Sequence, residues 1–182
     1  MHPLKKQNIF FAITGLLLVL FISSCSKPKS QLAQYGPFFE NVMRSDAGVF
    51  RGFSLGAPFD SVQHHEPKKP IESDPNYLYY EYSVDSIGSF NITYSFNEGR
   101  LTEIQSDFFI NQPATTEIIF NSFKMYLDEH YGSAQTSMGF SVWSVKSELF
   151  GDIKINLSNE SSDFSVDKSP GKVSLWIYPD KQ

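Results

Sequence analysis

Histidine, serine and carboxylate side chains gather at a few points along this chain of 182 residues. One stretch carries Asp60, His64, His65 and Glu66, with Asp60 one helical turn before His64. A metal centre would need several such ligands converging on one point. The stretch reads as the end of a short helix, where successive side chains point roughly 100° apart. His64 and His65 therefore diverge, and a solvated helix end fits them better than a ligand set. His130 falls at the end of a longer helical pattern, where a cationic ring complements the helix dipole. Ser54, within Gly52-Phe53-Ser54-Leu55-Gly56, matches the spacing of a nucleophile elbow. That elbow sits among βαβ units, whereas the strands after Ser54 read as antiparallel hairpins, so Ser54 is not expected to act as a nucleophile. Asp128 and Glu129 read as solubilising groups on an exposed helix side. The chain carries no His-Glu-x-x-His, phosphate-binding glycine loop or dinucleotide fingerprint. No catalytic constellation assembles, and the expectation is a protein that is not an enzyme, with no catalytic residues, no metal ligands and no cofactor.

Cys25 is the single cysteine, which excludes an internal disulfide framework and any multi-cysteine zinc site. What precedes it has an order of its own. Lys5 and Lys6 form a positive n-region, and Ile9 to Ile22 is an apolar run of about 14 residues broken only by Thr14 and Gly15. That is short of the ~20 residues a spanning helix needs. The run ends in Ile22-Ser23-Ser24-Cys25. An aliphatic residue, two small residues and a cysteine resemble the lipobox of bacterial lipoproteins with a type II signal peptide. The resemblance implies cleavage before Cys25 and acylation of that residue, palmitate included, which would hold the domain stably at a bilayer. Residues 1–24 are then signal peptide and residues 25–34 a lipidated tether. In such lipoproteins an Asp directly after the cysteine retains the chain at the inner membrane; here Ser26 implies the outer membrane. Acidic residues after the cysteine accompany surface export; the tether Ser26-Lys27-Pro28-Lys29-Ser30 is basic, which implies the periplasmic face of the cell envelope.

Removing residues 1–24 takes away Lys5 and Lys6 and no acid, so 13 basic and 20 acidic residues remain, a net charge of about −7. Nucleic acid needs a basic footprint and is excluded as a partner. The hydrophobic share of 41% against 19% charged residues is that of a globular chain, and 17 Phe with 9 Tyr favour strands.

Residues 35–182 read as one globular domain. Tyr35 to Arg44 has helical spacing in Phe38, Phe39, Val42 and Met43. Gly48 to Leu55 reads as a short strand. Phe59 to Glu66 follows as a helix stopped by Pro67, and Lys68 to Asn76 as a loop in which Pro70 and Pro75 exclude regular structure. Strands are expected at Tyr77–Asp85, Phe90–Phe96 and Arg100–Ile110. In the second, Phe90, Ile92, Tyr94 and Phe96 alternate with polar residues, the pattern of a sheet buried on one face. Asn97-Glu98-Gly99 is its hairpin turn. A helix capped by Thr115 or Thr116 runs to His130, with Ile119, Phe120, Phe123 and Leu127 on its stripe and Gly132 at its end. Strands at Phe140–Lys146, Asp152–Asn159 and Lys172–Tyr178 complete the chain, with a polar connection over Ser158–Gly171.

The pattern occurs twice. A shift of roughly 61 positions carries Phe59, Ile92, Tyr94 and Phe96 onto Phe120, Ile153, Ile155 and Leu157. The expected fold is a two-layer α+β sandwich: an antiparallel sheet of about six strands, two helices on one face, and tandem helix-plus-three-strand halves over about 48–110 and 111–182. Gly52-Phe53-Ser54-Leu55-Gly56 followed by Asp60-Ser61-Val62 resembles the start of SmpA/OmlA-type outer-membrane lipoprotein domains over about residues 48 to 105. Glu66-Pro67 stands where that family has a glycine–proline pair. The tandem halves are similar to the β-lactamase-inhibitor-protein-like architecture. Both resemblances imply a non-enzymatic module that binds proteins or envelope components.

If Tyr80, Tyr82 and Val84 face the core, then Tyr77 and Tyr79 point the other way with Glu81. In the last strand Trp176 and Tyr178 oppose Val173, Leu175 and Ile177. Aromatic rings on the solvent side of a sheet are common at interfaces, and they are equally placed to be covered by loops or the N-terminal helix. Tyr77, Tyr79, Trp176 and Tyr178 are thus the candidate binding surface, for an envelope protein or another envelope component. The alternative is a small-ligand-binding or hydrolytic periplasmic lipoprotein, with a pocket between the helices and the Lys68–Asn76 loop and His64 or His65 at its rim.

Overall fold

A computed structural model describes residues 31–161 and 171–180. The expected signal peptide, Cys25, most of the expected tether and part of the connection between the last two strands lie outside the described residues. No described helix is long and apolar enough to cross a membrane.

A 3₁₀ turn at Gln31–Tyr35 leads into α1 (Pro37–Met43). α2 (Phe59–His65) and α3 (Pro113–Tyr131) are the other helices. The strands are β1 (Glu72–Asp74), β2 (Tyr77–Val84), β3 (Gly88–Asn97), β4 (Arg100–Ile110), β5 (Gln135–Ser137), β6 (Phe140–Ser147), β7 (Gly151–Asn159) and β8 (Gly171–Pro179). They form one antiparallel sheet of eight strands in the order β1-β2-β3-β4-β8-β7-β6-β5. The fold is α+β, as expected, but the sheet has eight strands where six were expected, and α1 joins the two helices expected on its face. The additional strands are β1 and β5, three residues each, all exposed. Neither has an apolar alternation to reveal it. β1 forms between Pro70 and Pro75, in a stretch read as loop, because three residues suffice to pair with Tyr77, Leu78 and Tyr79.

Alternation dictates the layering. In β3 every second side chain is buried, Phe90, Ile92, Tyr94 and Phe96 among them. The buried set continues through Leu78 and Tyr80 of β2, Ile104 and Phe108 of β4, Val173, Leu175 and Ile177 of β8, Ile153, Ile155 and Leu157 of β7, and Trp143 of β6. The helices meet this face: Phe38 of α1 and Phe123 of α3 pack on Phe108, and Phe59 of α2 on Phe96. Each fully buried ring or branched chain contributes about 1.5–3 kcal/mol. In α3 the stripe is Ile119, Phe123, Tyr126 and Leu127, with Phe120 only partly buried. The helix is not capped by Thr115 or Thr116. Gln112 precedes it without a side-chain cap, and Pro113 opens it, since a first-turn residue needs no donor. Thr116 lies inside the first turn, where a methyl group on Gly171 would overlap its side chain.

The two halves repeat at 63 positions, not 61. Tyr80 faces Ile92 as Trp143 faces Ile155, and Glu72 faces Tyr79 as Gln135 faces Val142 (143 against 80, 155 against 92, 135 against 72, 142 against 79). Each half is therefore a helix followed by a four-strand meander. β4 and β8 join the halves side by side.

Gly48–Leu55 is the clearest departure from the expected elements. It is a tight loop and not a strand: Phe53 Nα donates to the Phe50 carbonyl at 2.9 Å, and the Val49 and Phe50 amides donate to the Phe53 carbonyl. At the tip Arg51 and Gly52 are both left-handed, at φ 54° and 92°. Val49, Phe50, Phe53 and Leu55 are all buried, so their apolar pattern reports a folded loop plugged into the core.

Candidate functional site

The outward sheet face is defined by rungs. One runs Glu72, Tyr79, Thr93, Gln105, Trp176, Asn156 from β1 to β7. The next begins Asp74, Tyr77, Ser95, Glu103. Tyr77 and Tyr79 therefore do point away from Leu78 and Tyr80, and Trp176 and Tyr178 away from Leu175 and Ile177, as the alternation requires. The four rings do not form one cluster. β3 and β4 separate β2 from β8, so Tyr79 and Trp176 stand about 14 Å apart along their rung, three strand spacings of ~4.8 Å.

Within each pair the groups are close. The Trp176 and Tyr178 ring centres are 4.3 Å apart at 35°, and Asn156 Nδ2 donates to Tyr178 Oη at 3.1 Å. Tyr77 Oη donates to Glu72 Oε2 at 2.9 Å, and Tyr79 Oη to Glu81 Oε1 at 2.7 Å. Burial and the Glu81 carboxylate push the Tyr79 hydroxyl above its ordinary value. Trp176 remains 40% exposed, while Trp143, of the same residue type on the inward face, is 2% exposed. The rings of α1, α2 and α3 lie against the inward side chains.

The strongest polar centre is elsewhere, inside the core. Glu66 is not a solvated helix-end residue. Its side chain is 0% exposed, as is nearly all of Arg51 at 1%. Arg51 Nε and Nη2 donate to the two Glu66 oxygens at 2.9 and 2.7 Å. Tyr82 and Tyr94 add their hydroxyls, each at 2.6 Å. The remaining guanidinium nitrogen, Nη1, donates to the carbonyls of Asn41 and Val42. Burial alone would raise the Glu66 pKa, but the Arg51 pairing and the two hydroxyls outweigh it and hold the carboxyl below its ordinary value. Burial in turn drives the Tyr82 and Tyr94 hydroxyls up, with the Glu66 charge adding to it. Every Glu66 oxygen is engaged, so this centre fastens the Gly48–Leu55 loop and the end of α2 to the sheet and leaves no reactive group free.

The second half has a counterpart. Asp128, near the end of α3, accepts from Trp143 Nε1 at 3.1 Å, from the Ala134 amide at 3.0 Å and from Lys124. Glu129 accepts from Tyr35 Oη at 2.5 Å. The Asp128–Glu129 pair read as solubilising thus holds α3 to β6 and to the N-terminal turn. Burial opposes the ionised form of Asp128, and these donors more than offset it, so its pKa is lowered.

The other candidates stay separate. His64 and His65 are exposed; His64 Nδ1 lies 2.6 Å from the Asp60 carbonyl oxygen, and His65 packs edge-on against Phe53. Among the described residues no group of three His, Cys, Asp or Glu side chains could hold a metal ion. Ser54 is exposed in its loop. Beside Pro67 and Lys68, where a ligand pocket was expected, are two open clefts of about 300 and 450 Å³ sharing Tyr82, Ser83 and Phe90, and neither is lined by His64 or His65. Arg51 could not be found from sequence because no local pattern pairs it with a residue fifteen positions on. The two tyrosines looked like ordinary strand aromatics. Comparison with protein-family profiles, curated proteins and solved structures returned no match.

Proposed function

We propose that the protein is a membrane-anchored envelope lipoprotein, held by acylated Cys25 at the outer membrane and facing the periplasm. Its domain is non-catalytic and binds an envelope protein through the outward sheet face. The observation that carries this reading is Trp176, exposed beside Tyr178 in the middle of a broad sheet. Exposed tryptophan and tyrosine supply contact area at low entropic cost and mark interfaces more than open surface. The area is adequate. Six strands of eight or more residues span roughly 24 Å by 27 Å, about 650 Å², near the ~800 Å² per partner of a standard interface. The polar centres of the domain also favour binding over chemistry, since the buried Glu66 and the partly buried Asp128 carboxylates already accept hydrogen bonds from within the fold.

The test is crosslinking in cells with tagged full-length protein, followed by capture, alongside a Trp176→Ala/Tyr178→Ala variant. A defined partner that disappears in the variant is expected. A partner retained in full would remove the sheet face from the proposal.

A further inference from the structure

Charge on the outward sheet face is unevenly compensated. On the β6–β8 side each outward lysine has an acid: Lys146 meets Asp152 at 2.6 Å, Lys154 meets Asp180 at 3.1 Å, and Lys172 meets Asp107 and Glu160 at 3.3 and 2.9 Å. On the β1–β4 side the position is reversed. Glu72, Asp74, Glu81 and Glu103 all stand on the outward face, by register with Tyr79, Tyr77, Asn91 and Ser95. None of them forms an ion pair among the described residues. The neutral tyrosine hydroxyls that donate to Glu72 and Glu81 satisfy lone pairs and leave the negative charge in place. Of the two cations nearest in sequence to this edge, Lys68 is committed to the Glu81 backbone carbonyl and to the Tyr82 ring, 4.5 Å away, and Lys69 is exposed and forms no ion pair among the described residues.

These unpaired carboxylates alternate with flat aromatic surface. Glu72 is directly opposite Tyr79, Asp74 opposite Tyr77, and Trp176 continues the first of these rungs two strands beyond Thr93. A planar guanidinium fits both features at once. It pairs with a carboxylate through two hydrogen bonds and stacks on a tyrosine or tryptophan face, whereas an ammonium does neither as well. An anionic surface such as a phospholipid headgroup layer would instead be repelled.

We propose that the β1–β4 half of the outward face, together with Trp176 on the adjoining β8, docks a cationic, arginine-bearing segment of a protein partner, with Glu72, Glu81 and Glu103 taking the guanidinium groups and Tyr77, Tyr79 and Trp176 their stacking planes. This rests on the sheet-face reading and narrows the partner to one chemistry.

The test uses full-length protein in neutral detergent with fluorescein-labelled nona-arginine, read by anisotropy, with nona-lysine and nona-glutamate as comparisons. Nona-arginine is expected to bind, to weaken as salt rises, and to bind more tightly than nona-lysine; nona-glutamate is expected not to bind. The Glu72→Gln/Glu81→Gln/Glu103→Gln variant should lose about tenfold in affinity. A control with the same charge change outside the strands, Asp46→Asn/Glu98→Gln/Glu148→Gln, should lose much less. Equal loss in both variants would mean attraction to net charge alone and would overturn the proposal, as would absence of nona-arginine binding. Near-ultraviolet circular dichroism of each variant confirms that the fold is kept. A cellular partner lost in Trp176→Ala/Tyr178→Ala but retained in the triple glutamine variant would leave the sheet-face reading standing and overturn this one.

Discussion

Replacing Arg51 with methionine removes the charge at the centre of the core and keeps most of the volume. Both partners are shielded from water, with the Arg51 and Glu66 side chains at 1% and 0% exposure. The substitution leaves Glu66 buried with only the Tyr82 and Tyr94 hydroxyls as close donors, and Arg44 at 3.7 Å. It also strips the Asn41 and Val42 carbonyls of their donor. Breaking a buried pair on one side costs ~3–5 kcal/mol, and an orphaned buried carbonyl a further ~1–3 kcal/mol at most. Partly exposed Arg44 offsets some of this, so about 4 kcal/mol is expected at pH 7. That is a large fraction of the ~5–15 kcal/mol typical of a domain. Urea unfolding of a soluble form beginning at Ser26 would measure it. The pH dependence is the sharper test. In the parent, Glu66 has a folded pKa below its ordinary 4.5, so its contribution is present above that value and is lost as pH falls through the folded pKa. In the variant burial is no longer outweighed, and the carboxyl pKa rises. The folded state then disfavours the charged form, and the variant gains relative stability as pH falls from 7 toward about 5. A cost below about 1 kcal/mol at pH 7, or a gap that stays constant between pH 7 and 5, would refute the reasoning.

The two tryptophans give a direct check on strand register. Trp176→Phe should leave blue-shifted emission from Trp143 that iodide does not quench, and Trp143→Phe should leave quenchable emission from Trp176, because a one-residue slip would exchange the faces. The Trp176→Ala/Tyr178→Ala variant should change unfolding free energy by less than about 1 kcal/mol, measured in urea, since both side chains lie outside the core. Spectrophotometric titration of the tyrosines should show Tyr35 and Tyr80 ionising only near 12, pushed there first by burial and then by Glu129 and Glu66 respectively. A hydroxyl whose folded pKa is raised contributes stability that is full below the ordinary 10 and is lost as pH rises through the folded value, so alkaline unfolding should begin above about pH 10. Cys25→Ala should move the protein out of the membrane fraction and abolish labelling by radioactive palmitate; retention of both would remove the lipid anchor from the proposal.

Local pattern alone was enough for much of the domain. The alternation in Phe90–Phe96 set which face of β3 is buried, because a strand's side chains change sides at every residue. The Asn97-Glu98-Gly99 turn between β3 and β4 follows from the residues that tolerate positive φ, and Glu98 and Gly99 adopt it at 51° and 71°. The same alternation in β2 and β8 places Tyr77, Tyr79, Trp176 and Tyr178 opposite the core-facing residues of their strands. The order of the strands across the sheet is not written in any one segment. The β4–β8 pairing joins residues about 70 positions apart, and it alone puts two strands between the tyrosine pair and the Trp176–Tyr178 pair. The three-residue edge strands β1 and β5 exist because neighbours offer them partners, not because their own residues favour extension. Arg51 and Glu66 illustrate the difference most plainly. By residue type each belongs at the surface, and a charge enters the core only when the fold supplies its counter-charge and fills its remaining hydrogen bonds. Those donors and acceptors come from α1, the Gly48–Leu55 loop, the end of α2, β2 and β3, segments that meet only in the tertiary structure.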